Sequence, residues 1–148
     1  MDIKTPILLA WRSFWVLKKH RPEPTWARLL ISTGVGLAFS AVLLPVIGLL
    51  NGQLSSLSWW RLNLPANLML SLGISYTIHA LYRTIETLLP QAAIDRIVGW
   101  RDWRSGLFFS AVPIAGVLLG GSIGLGLISA TYAVDAWGAL LGTPRGIA

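Results

Sequence analysis

Three stretches of this chain carry no Asp, Glu, Lys or Arg: residues 29–60, 62–82 and 105–134. A bilayer core about 30 Å thick needs roughly 20 apolar residues as helix, and each stretch is long enough. The runs predict membrane-spanning helices over residues 29–50, 64–82 and 107–130, and so an all-α polytopic membrane protein. A buried soluble helix rarely stays uncharged for so long, and three of them would lack polar surface to cover them. Charged residues make up only 12% of the chain, against about 25% in an average soluble domain. The chain divides into a basic N-terminal arm (1–28), a three-helix membrane domain (29–134) and a short tail (135–148). With no cysteine, a disulfide framework, a thiolate metal site and a cysteine nucleophile are excluded.

Within the third run lies GVLLGGSIGLG, residues 116–126. A glycine-rich phosphate loop carries Lys and Ser/Thr beyond its glycines, between a strand and a helix. Here the run is uncharged and no lysine is near. Gly116, Gly120 and Gly124 are four residues apart, so they line one face of a helix. Ser122 and Gly126 form a neighbouring row. Small residues at this spacing let membrane helices approach closely. Ser32, Gly36 and Ser40 repeat the pattern in the first span, and Ser71 and Ser75 in the second. The chain is expected to pack helices through these faces. The spacing leaves open whether Gly116, Gly120 and Gly124 face the chain's own helices or another subunit.

Basic residues are shared unevenly. Lys4, Arg12, Lys18, Lys19, Arg21 and Arg28 precede the first span; Arg83, Arg96, Arg101 and Arg104 lie between the second and third. Only Arg61 and Arg145 fall elsewhere. The positive-inside rule then places the N-terminus and the second loop in the cytoplasm, and the first loop and the tail outside. The tryptophans agree with that frame. Trp26, Trp100 and Trp103 mark the inner boundary, and Trp59, Trp60 and Trp137 the outer one, as interfacial belts do.

The N-terminal arm does not read as a signal peptide, because Arg12 interrupts its apolar stretch and no small-residue cleavage site follows. Residues 6–20 instead suggest a helix lying on the inner leaflet, with Ile7, Leu8, Trp11, Phe14 and Trp15 on one face. Lys18, Lys19 and Arg21 would attract anionic lipid. A topology signal with no further role is the plainer alternative. A second short interfacial helix is expected after Pro90, where Ala93, Ile94, Ile97 and Trp100 repeat at helical spacing. Pro45 and Pro113 lie within spans, where each kinks its helix or marks its end.

Little in the chain carries chemistry. His79 is the one histidine in a span and so a candidate haem or chlorophyll ligand. The ordinary reading is a hydrogen bond to a neighbouring helix or the interface. No second histidine lies in another span to complete a bis-histidine site. Glu86 follows Arg83 by three residues, the spacing of an ion pair on one helix face. No Ser/His/Asp set, metal cluster or carboxylate pair can be assembled. Neither a catalytic role nor a cofactor nor a metal is expected. The net charge of +6 follows from topology and does not imply nucleic acid.

The segments WWRLNLPANLMLSLGISYTIHALYRTIETLLP and VPIAGVLLGGSIGLGLIS together resemble the membrane-spanning N-terminal region of LytS/AlgZ-like bacterial sensor histidine kinases. The resemblance covers about residues 59–129. It is carried by Asn67, Leu68, Ser71, Gly73, Ile74 and Arg83, then by Pro113, Gly116, Gly120 and Gly124. These are packing residues, of low specificity. The resemblance implies a sensor or signalling-type membrane module in the bacterial cytoplasmic membrane, working by helix packing with itself or a partner. Kinases of that group continue through a fourth span into dimerisation and ATP-binding regions, which these 148 residues do not contain, so no kinase activity is expected of them. The alternative is an accessory or assembly subunit of a respiratory or photosynthetic complex, docked through its glycine face and tryptophan-rich edges. A small transporter ranks third, because no span carries a charge. The expected partners are the lipid bilayer and other membrane subunits or a second copy.

Overall fold

A computed structural model describes residues 3–14, 16–19 and 23–133. Among them the chain forms five α-helices and no strand: α1 (Lys4–Phe14), α2 (Thr25–Leu50), α3 (Leu57–Leu88), α4 (Gln91–Gly99) and α5 (Trp103–Tyr132). Helix starts follow local chemistry. Ser56 caps α3 by accepting from the Trp59 amide, and Asp102 caps α5 by accepting from the Arg104 amide, the usual cure for orphan amides at a first turn. Pro24 and Pro90 hold extended backbone just before α2 and α4. Gly52, at φ 65°, makes the reversal between α2 and α3, a conformation that glycine adopts without strain.

The long helices α2, α3 and α5 run antiparallel in sequence, with α3 in the middle. It packs on α2 along one side and on α5 along another, while α2 and α5 share no extended contact. α1 lies along α2, where Ala10 and Ala27 are completely buried. Leu17, from the segment after α1, meets Ile94 and Ile97 of α4, with Tyr82, Ile85, Leu89, Trp100 and Phe108 packed around them. This cluster gathers the N-terminal arm, the end of α3, α4 and the start of α5 at one pole of the bundle. The opposite pole holds the α2–α3 turn, Trp59 and Trp60.

Two helices, α2 and α5, are long and apolar enough to cross a membrane by length and composition, where the sequence predicted three. The middle helix is longer than either but too polar to pass. Asn63, Asn67, Ser71, Ser75, Thr77 and His79 dilute its apolar residues. Asn67, Ser71 and Ser75 are buried in the bundle, so the polarity belongs to its packed side. All three long helices also overrun the expected bounds. Trp59 and Trp60, expected in a loop, sit in the first turn of α3. Neither Pro45 nor Pro113 ends its helix; both lie inside continuous helices, as does Pro65.

The N-terminal helix is shorter than expected. It stops at Phe14, and residues 16–19 are non-helical. α4 forms where the second short helix was expected, but its apolar face is covered by protein: Ile94 and Ile97 are buried in the hydrophobic cluster with Leu17. Trp15, Arg21, Trp137 and Arg145 lie outside the described residues.

Candidate functional site

The bundle is held by two seams of different chemistry. On α2 the residues Arg28, Ser32, Gly36, Ser40, Leu44 and Gly48, each four apart, are all buried. Ser40 donates to the Asn67 carboxamide oxygen, which also accepts from Ser71 at 3.3 Å. Ser75 donates to the Ser32 carbonyl at 2.6 Å. A Cβ added at Gly36 would stand 3.1–3.3 Å from Leu72, Ser71 and Ser75. Near the surface of the same seam, Thr33 and Tyr76 share a 2.6 Å hydrogen bond.

The α3–α5 seam is built from missing side chains. The buried residues of α5 are Gly116, Gly120 and Gly124. A Cβ at Gly120 would lie 2.6 Å from both the Gly73 carbonyl oxygen and the Ile74 Cα, and one at Gly124 would lie 2.9 Å from the Leu70 Cα. At Gly116 the collision would be with the Ile78 side chain. The glycine row therefore faces α3 of the same chain and is not open to another subunit. Gly121 and Gly126, off this face, have nothing within 4 Å of an added Cβ.

The boundary residues divide between the poles. Trp59 packs its ring on Gly48 and meets Trp60 edge-on at 5.3 Å; the Trp60 indole donates to the Leu54 carbonyl at 2.8 Å. At the other pole Trp100 stands edge-on to Phe108. Trp103 is exposed beneath the Arg104 guanidinium, and Trp11 is exposed on α1. Lys18 and Lys19 of the arm are drawn into the fold. The Lys18 amide donates to Glu86 at 3.2 Å, and the Lys19 ammonium donates to the Leu89 carbonyl at 2.7 Å, completing the C-terminus of α3. Glu86 is buried, 3.7 Å from Arg83.

Beside the seams lies a cavity of about 510 Å³ between α2, α3, α5 and the segment after α1. His79 lines it, together with Arg28, Arg83 and Glu86 at the basic pole. Val35, Phe39, Ile74, Pro113 and Val117 make its apolar walls. The sequence reading missed this cavity, and it missed Asn67 as the link between α2 and α3. The four-residue spacing of Asn67, Ser71 and Ser75 was the available signal. Among the described residues no cluster of His, Asp and Glu is placed to hold a metal. Comparison with protein-family models, curated proteins and solved structures finds no match.

Proposed function

We propose that the chain is a non-catalytic, membrane-embedded helical module of sensor or signalling type, working through helix packing. The observation that carries the membrane reading is the exposure of its apolar helices. In their most apolar stretches only 22% of α2 and 17% of α5 is buried. A soluble core helix would be mostly covered, whereas large apolar surfaces left open mark contact with a membrane or another protein. In this reading α3 crosses as well, with its polar row satisfied inside the bundle as hydrocarbon demands. The basic pole faces the cytoplasm, and the end of α5 approaches the exterior. The resemblance to sensor kinase input regions supports the signalling role.

The second reading is an accessory subunit of a larger bacterial membrane complex. It is favoured by open apolar faces such as Val42 and Leu118, 67% and 66% exposed. Such docking would have to use these faces, because the glycine row is occupied internally. The test is a photo-crosslinker at Leu118 in the full chain expressed in a bacterial host membrane. The chain should stay with the membrane after alkaline carbonate, and the crosslinked species should be a second copy or a kinase-type signalling protein. Release by carbonate would sink the membrane reading. Capture of respiratory or photosynthetic subunits would replace the signalling role with the accessory one.

A further inference from the structure

The cavity has the shape and polarity of a ligand site for a lipid-derived molecule. Its volume of about 510 Å³ lies within the roughly 300–1,000 Å³ of small-molecule sites. It follows α3 from Ser71 to Glu86, which at the helical rise of 1.5 Å per residue is about 22 Å. The contents are sorted along that length. The Ser75–Ser32 hydrogen bond fixes the register of α2 on α3. Arg28, one turn back along α2, therefore stands at the same end as Arg83 and Glu86. Phe39 and Val35 stand toward the other end, opposite Val117 and Ile74. One end is thus charged and the rest is mainly apolar, the Ser71 and Ser75 hydroxyls there being taken up by hydrogen bonds within the bundle.

The charges define the head. Among the described residues Arg28, Arg83 and Glu86 line that end. An arginine presents the planar fork that a carboxylate matches. The walls define the tail: Val35, Phe39, Ile74, Pro113 and Val117 give the rest of the cavity an apolar lining along α3. Because α2 and α5 pack on α3 and not extensively on each other, the cavity has a side on which apolar α2 and α5 surfaces flank it.

We propose that this cavity binds one long-chain fatty acid, its carboxylate at Arg28 and Arg83 and its acyl chain along α3 between Phe39 and Val117. The proposal goes beyond the signalling-module reading and is tested separately from it, since membrane retention and crosslinking at Leu118 do not depend on the cavity.

The full chain in mild detergent is titrated with palmitate and read by native mass spectrometry, with methyl palmitate and octanoate as comparison probes. One palmitate should bind per chain. Methyl palmitate, lacking the charge, and octanoate, lacking the length, should bind at least tenfold more weakly. Arg83→Gln should lower palmitate affinity about tenfold and leave methyl palmitate unchanged, with Arg83→Lys recovering part of the loss. Val117→Trp, which fills the apolar part, should weaken palmitate and methyl palmitate together. Each variant must keep the helical circular dichroism and elution position of the parent. Equal binding of palmitate and methyl palmitate would overturn the proposal. So would full palmitate affinity in a folded Val117→Trp, or a bound phosphatidylglycerol that palmitate does not displace.

Discussion

At Gly120 a single added carbon would stand 2.6 Å from a carbonyl oxygen and 2.6 Å from a Cα of α3. Both are backbone atoms of a helix, so neither can turn aside. At Gly116 the nearest obstacle is Cγ1 of Ile78, at the base of a β-branched side chain that a helix holds near one χ1 rotamer, with the Ile78 Cα 3.1 Å away. Neither site has room for an added carbon. Gly120→Leu should cost about 1–3 kcal/mol, the usual penalty of overpacking, and Gly116→Leu should be destabilising as well. Gly121→Leu is the control: it adds the same side chain one residue away, where the space is open. The measurement is denaturant unfolding in mixed micelles followed by circular dichroism. If Gly120→Leu and Gly121→Leu unfold together, the glycines reflect membrane-like composition and not a contact. The four-residue spacing was legible in the sequence because it is local. Which helix it meets was not, because that depends on pairing across long stretches of chain, Gly116 with Ile78 and Gly124 with Leu70.

The two helix seams should respond to different mutations. α2 and α3 are joined by side-chain hydrogen bonds, α3 and α5 by backbone proximity. Asn67 accepts from both Ser40 and Ser71, so Asn67→Ala leaves two buried hydroxyls to find new partners. Ser75 gives one bond to a carbonyl already serving its own helix. Hydrogen bonds between membrane helices are worth about 0.6 kcal/mol on average and up to about 1.7. In the same unfolding assay Ser75→Ala should therefore cost about 0.6 kcal/mol. Asn67→Ala should cost more, up to about 1.7 kcal/mol, because it removes the one such bond that Asn67 makes to α2 and also leaves the Ser71 hydroxyl of its own helix without its acceptor. Equal losses would mean that the Asn67 carboxamide is not the link between the helices. Uncharged length revealed α2 and α5 in the sequence almost to their ends. The start of α3 was hidden, because Ser56, Trp59, Trp60 and Arg61 read as a boundary while the Ser56 cap makes them a first turn. The amphipathic patterns of α1 and α4 were visible, but amphipathicity does not say whether lipid or protein covers the apolar face. In α4 it is protein, through Ile94 and Ile97.

On the scale of the whole molecule, the decisive feature is that the basic segments meet at one pole. The arm is fastened to the end of α3 by Lys18 and Lys19, and α4 packs against Leu17. This is a single charged end opposite the α2–α3 turn, and it turns the number of spans into a question of sides. If α3 crosses the bilayer, the turn and α4 lie on opposite faces; if only α2 and α5 cross, they lie on the same face. The chain has no cysteine, so single substitutions can be labelled without background. Gln53→Cys is exposed on the turn, and Gly99→Cys ends α4 with open space around it. In intact bacterial cells an outer-leaflet-restricted maleimide should label Gln53→Cys and leave Gly99→Cys unmodified until the membrane is permeabilised. That pattern would establish α3 as a span despite its polar row and fix the basic pole inside, as the positive-inside rule requires. Labelling of both positions, or of neither, in intact cells would remove α3 from the membrane.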